Sequence, residues 1–118
     1  MVYLIGVMKM ASSKSYLNFV MDQLSNLGGV TCKPMMGEFI IYFNGKIVGG
    51  IYDDRFLVKQ TEAARRLMPD APLEAPYEGA KEMILVDRID ERDFLETLLT
   101  EMYPELPEPK KRRAGTSV

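Results

Sequence analysis

The stretch Lys33 to Lys59 reads KPMMGEFIIYFNGKIVGGIYDDRFLVK. Asn44-Gly45 and Asp53-Asp54 are turn signals, and they cut it into three short apolar runs. Such punctuation predicts a three-stranded antiparallel meander. With Asn44-Gly45 as a two-residue type I′ turn, Phe43 pairs with Lys46, Ile41 with Val48 and Phe39 with Gly50. One face then carries Phe39, Ile41, Phe43 and Val48, and the other Ile40, Tyr42, Ile47 and Ile51. Both faces are apolar, whereas a sheet with one wet face alternates more cleanly. The second face is therefore expected to be covered by another element or to meet a partner. Gly49-Gly50 inside a strand suggests a bulge or a close backbone approach.

Outward from the meander, Val30 to Lys33 reads as a preceding strand ended by Pro34. Before it, Ser12 or Ser13 supplies a cap, and Tyr16, Leu17, Val20, Leu24 and Leu27 recur at helical spacing, predicting a helix over 13–27 stopped by Gly28-Gly29. After the meander, Thr61 caps a short helix over 61–68 that Pro69 ends. Residues 69–80 hold three prolines and a glycine and read as an irregular loop. Met83 to Val86 is a short strand whose unbroken apolarity suggests burial on both faces. Asp90 caps a last helix over 90–103. The fold class is α+β: an antiparallel meander sheet with helices before, within and after it, in the order α, three or four strands, α, strand, α.

Residues 1–11 read as a leader, either the product of an upstream start or a strand added to a sheet edge, the former being preferred. The domain spans 12–103. Residues 104–118, PELPEPKKRRAGTSV, read as a disordered basic tail, because prolines, charges and small polar residues bury too little apolar area to offset ordering entropy.

The whole is 118 residues, suited to one domain with a modest core. No apolar run approaches the roughly 20 residues of a membrane helix. Fifteen Lys and Arg against 17 Asp and Glu give a net charge of −2. The tail is locally basic, so the remaining body is acidic, which argues against a broad phosphate-binding surface. The single cysteine, Cys32, allows no intramolecular disulfide and fits a reducing cytoplasm.

Histidine is absent, which removes the commonest general base and transition-metal ligand. Cys32 lacks a histidine partner and reads as a strand cysteine, with nucleophilic chemistry the minor alternative. Asp53 and Asp54 with Asp87, Asp90 and Asp93 would be oxygen ligands for a hard cation, yet turn chemistry and helix starts account for them. No catalytic residue, cofactor or metal is expected. Lys110, Lys111, Arg112 and Arg113 are the candidate nucleic-acid contact, weak and sequence-blind. Met35, Met36, Ile41 and Tyr42 are the candidate protein-interaction residues, since thioethers repack readily and the two-faced meander needs cover.

The run from Met35-x-Gly37 through the strand to Tyr42, Asn44-Gly45, Asp53-Asp54 and Phe56-Leu57-Val58-Lys59 resembles the N-terminal domain family of TfoX (Sxy), a bacterial regulator of competence genes. Lys33 supplies the basic residue before the motif, and Met36 replaces the usual aromatic. The resemblance covers most of 12–103. It implies an α+β fold like that of secretion chaperones and a non-enzymatic regulatory or adaptor role through protein contacts, in transcription and competence; the apolar sheet face makes homodimerisation a further option. The second, helical domain of the full-length regulator has no counterpart in the sequence given, and the strand at 83–86 lacks the family's aromatics. The alternatives are a direct nucleic-acid binder using the tail with Lys33 and Lys59, and a small enzyme using carboxylates or Cys32.

Overall fold

Three two-residue turns, each with positive φ at both positions, build the sheet. They are Met36-Gly37 (φ 50° and 87°), Asn44-Gly45 (48° and 86°) and Asp53-Asp54 (53° and 55°). Positive φ at both centres is the type I′ geometry, whose twist matches that of the flanking strands. In the computed structural model, which describes residues 13–109, these turns join β1 (Val30–Met35), β2 (Glu38–Phe43), β3 (Lys46–Ile51) and β4 (Phe56–Val58). Helix α1 (Lys14–Gln23) precedes them; α2 (Glu62–Leu67), β5 (Leu73–Glu74), β6 (Met83–Val86) and α3 (Arg92–Met102) follow. The six strands are all antiparallel, in the order β1-β2-β3-β4-β6-β5. This is the expected α+β class.

The β2–β3 register departs from the expected one by a bulge. Phe43 faces Lys46 and Tyr42 faces Ile47, but Ile41 then faces Gly49 and Phe39 faces Ile51. Val48 is the extra residue, so Val48 and Gly49 both turn toward the helices, and Ile51 moves from the Tyr42 face to the Ile41 face. Glycine at 49 is required: a Cβ there would run into the Leu57 carbonyl oxygen and lie 2.7 Å from the Val58 Cα. Strand β1 continues through Pro34 to Met35 rather than stopping before it. The Asn44 N–H donates to the Gly29 oxygen, and the alternation from there turns the backbone of residue 34 outward, where an edge strand needs no donor.

The helix caps follow from local hydrogen bonding. Ser13 Oγ accepts from the Tyr16 N–H at 3.2 Å, and Thr61 Oγ1 from the Ala64 N–H at 3.0 Å. Helix α1 gives way to turns after Gln23, and Gly29, at φ 94°, sends the chain into β1. Asp90 is not the cap of α3. Glu91 occupies that position without a side-chain cap bond, because its carboxylate is held by the Arg88 guanidinium at 2.7 Å.

All three described helices pack on one face of the sheet. Leu17, Val20 and Leu24 of α1, Ala63 and Ala64 of α2, and Leu95, Leu98, Leu99 and Met102 of α3 share a single core with Ile41, Phe43, Val48, Ile51, Phe56, Val58, Ile84 and Val86. In β6 only the alternate residues Ile84 and Val86 are buried, so that strand is not covered on both faces. The ordered body also runs past residue 103. A 3-10 turn, Tyr103–Glu105, brings Leu106 into the core at 4% exposure, and the Glu105 carboxylate accepts from the Glu62 and Ala63 N–H groups. Residues 104–106 are thus not part of a tail: one leucine and one helix-capping carboxylate tie them down. The leader 1–11 and the run Lys110–Arg113 lie outside the described residues.

Candidate functional site

Because side chains alternate along each strand, the helix-covered face fixes what the other face presents. Its rows follow from the registers. Thr31 faces Tyr42, and Tyr42 faces Ile47. Lys59 and Met83 continue this row, since Lys59 shares one cleft with Tyr42 and Ile47 and another with Met83. A second row runs Lys33, Ile40, Gly50, Leu57, Leu85. None of Ile40, Tyr42, Ile47, Leu57, Met83 or Leu85 belongs to the core that the helices enter. Both faces of the meander are apolar, but among the described residues only one has a helical layer.

One end of this open face is closed by the chain itself. Tyr52 folds its ring over Gly50, where a Cβ would lie 2.7 Å from the ring, and both Tyr52 and Leu57 are buried. Burial pushes the Tyr52 hydroxyl pKa up, helped by the nearby Tyr77 and Glu38. Arg55 holds the proline-rich loop beside it: its guanidinium pairs with Glu74 at 2.7 Å and donates to the Ala75 and Pro76 carbonyls.

The other end is open. Ile47 is 40% exposed, and Tyr42 and Met83 are half-buried. A cleft of about 310 Å³ is lined by Tyr42, Gly45, Ile47 and Lys59, with Pro107, Glu108 and Pro109 as its wall. Beside it lies a second, of about 590 Å³, lined by Lys59, Gln60, Arg65, Lys81, Glu82 and Met83. Lys59 stands between the two.

The Met35-Met36-Gly37 motif forms the β1–β2 turn. Met36 is 93% exposed and held in the left-handed region, which methionine rarely adopts without cause. Met35 is 40% exposed. The Asp53-Asp54 turn lies at the same end of the sheet: Glu38 accepts from the Asp53 N–H, and Asp54 accepts from Ser13.

The expected interaction residues therefore separate. Tyr42 lies on the open face and Met35 and Met36 at its far corner, but Ile41 is fully buried beneath the helices. Ile41 is a core residue, because it alternates with Tyr42 and α1 and α3 pack on its side. Ile47, the most exposed apolar residue of the Tyr42 row, is a surface residue that the alternation marked and the candidate set omitted. The wall from Pro107 to Pro109 carried no such signal. Lys33 lies on the open face, with its ammonium 5.8 Å from the centre of the Tyr42 ring. Cys32 faces Ile41 on the core side and is half-buried. Among the described residues no three His, Cys, Asp or Glu side chains gather where one ion could be held, and no helix is long and apolar enough to cross a membrane.

Comparison with known proteins gives two agreeing results. The family model described as the TfoX N-terminal domain matches residues 22–99. The uncharacterized 12.7 kDa protein in the trpE 5′ region of Spirochaeta aurantia is 36% identical over 108 residues, spanning 91% of this chain and 94% of that protein. No solved structure matches. The match takes in the meander, all three of its two-residue turns and most of α3, and the chain belongs to the TfoX N-terminal domain family.

Proposed function

We propose that the protein is a non-enzymatic adaptor or regulator that works by presenting the open end of its sheet to a protein partner. The observation that carries this is the row of exposed Ile47 and half-buried Tyr42 and Met83, on a face that no described helix covers. An apolar strip of that kind, edged by polar residues, marks contact sites more often than solvated surface. The dispersed carboxylates, the core-facing Cys32 and the absence of histidine from the sequence favour contact over catalysis. Family membership supports a regulatory setting for that contact, transcription and competence in a bacterial cytoplasm.

Chemical cross-linking in a bacterial lysate tests the reading. Tyr42→Glu and Ile47→Glu are expected to remove the partners captured by the natural chain, while Phe19→Glu, at an exposed apolar site on α1, leaves them. An identical set of partners from all four proteins overturns it. Loss of self-association in the same two variants, read by light scattering, identifies the partner as a second copy.

A further inference from the structure

We infer that the open end of the sheet binds an acidic, extended polypeptide segment; this deepens the contact role proposed above and rests on it. The starting point is where the cations have no carboxylate partner. Residues 13–109 contain ten Lys and Arg and all 17 of the acids, so carboxylates are in excess. Lys46, Arg55, Arg66, Arg88 and Arg92 each pair with one. Of the remaining five, Lys14 stands apart at the start of α1; Lys33, Lys59, Arg65 and Lys81 pair with no carboxylate among the described residues, and these four lie around the open end. Lys59, Arg65 and Lys81 line one cleft, Lys59 lines the next with Tyr42 and Ile47, and Lys33 stands over the Tyr42 ring. Glu82 is the one acid of the first cleft and leaves it net positive. In a domain this acidic, unpaired cations concentrated at one place set a local field opposite to that of the whole molecule, which selects a complementary partner surface.

Two observations favour a polypeptide over a nucleic acid. The wall of the Tyr42 cleft is the chain's own Pro107-Glu108-Pro109, so an acidic, proline-containing segment already fits against this surface. The Tyr42 ring, the one aromatic lining these clefts among the described residues, faces the Lys33 ammonium, which stands where a base would stack. The apolar floor, Ile47 and Met83, suits the alternate side chains of an extended peptide whose acids reach the flanking lysines.

Fluorescence anisotropy with the full chain at low salt tests this. The probes are a labelled peptide of about ten residues alternating Glu, Leu and Pro, the same peptide with Gln for Glu, and an oligothymidylate of similar length. The Glu peptide is expected to bind at least about tenfold tighter than the Gln peptide, and Lys59→Glu with Lys81→Glu to weaken it at least about tenfold. Circular dichroism checks that the double variant keeps its fold. Equal binding of the Gln peptide, tighter binding of the oligothymidylate, or indifference to the charge reversals overturns the inference. Should Tyr42→Glu abolish cross-linking to partners while the charge reversals change neither cross-linking nor peptide binding, the open face remains an interface and the acidic-segment assignment alone falls.

Discussion

The carboxylate of Glu105 caps the helix that starts at Glu62, accepting from that residue's N–H at 2.7 Å and from the Ala63 N–H at 3.2 Å. Thr61 satisfies the next donor through Ala64, so the first turn of α2 is closed from two directions. A helix of six residues has little stability of its own and depends on such closure. Glu105→Ala is expected to lower stability by about 1 kcal/mol, and Leu106→Ala, which empties a buried site, by about 2–4 kcal/mol. Urea denaturation of the two variants checks both. A chain ending at Tyr103 should lose more than either, whereas one ending at Pro109 should keep the natural midpoint.

The elements were legible where side chain and backbone chemistry agree. Thr61 announces a cap and Asn44-Gly45 a type I′ turn, each by local rules that tertiary packing does not override, whereas the first helix, expected to run to Leu27 and stop at Gly28-Gly29, ends at Gln23. Gly49-Gly50 signals the bulge and the close approach, but not the register beyond Tyr42, because Val48 and Gly49 lie together on one side only once β4 brings the Leu57 carbonyl against Gly49. One bulged residue moves Ile51 between faces. Asp90 was expected to cap α3, but Arg88 draws Glu91 into that place. In the candidate site, Tyr42 follows from alternation, while Ile41 went astray because both faces are equally apolar and sequence does not say which one the helices choose. The wall at Pro107 to Pro109 was hidden by composition: a proline-rich, charged stretch reads as solvated until Leu106 is seen to anchor it.

Gly49 tests the bulge directly. An added Cβ would meet the Leu57 carbonyl oxygen and the Val58 Cα, both backbone atoms that no rotamer change can move. Gly49→Ala is therefore expected to cost at least about 3 kcal/mol, more than an ordinary core overpacking. Gly28→Ala is the control, since a Cβ there meets nothing within 4 Å. Thermal melts of the two variants should differ widely, and equal melts would mean that β3 and β4 do not approach as described.

Two tyrosines are expected to make the fold sensitive to alkali. Burial raises the Tyr52 pKa above its ordinary value of 10.0, with Tyr77 and Glu38 adding to it. Burial likewise raises that of Tyr16, opposed by its hydrogen bond to the Phe56 backbone and helped by Asp54. A raised pKa means that the unfolded chain releases these protons first. The stabilisation is therefore complete below about pH 10 and falls as pH rises toward the folded-state values. Stability measured by urea at steps from about pH 8 to 11 should decline at the alkaline end, and Tyr16→Phe with Tyr52→Phe should flatten that decline. A slope unchanged by the double substitution would place the alkaline sensitivity elsewhere.

Met36 sets local stability against exposure. Its backbone occupies the left-handed region at φ 50°, where a methionine costs about 1 kcal/mol or more relative to residues suited to it. Asn44 holds the same place in the next turn at φ 48°, so Met36→Asn keeps the geometry and removes the strain. That substitution is expected to raise stability by about 1 kcal/mol, seen as a higher urea midpoint with an unchanged slope. A side chain 93% exposed contributes no packing whose loss would offset the gain. If the thioether serves contact, the same variant should cross-link its partners less well while being the more stable protein. A variant that is no more stable would show that the turn does not hold Met36 under strain, and one that is stabilised with cross-linking intact would confine the contact surface to the Tyr42 end of the sheet.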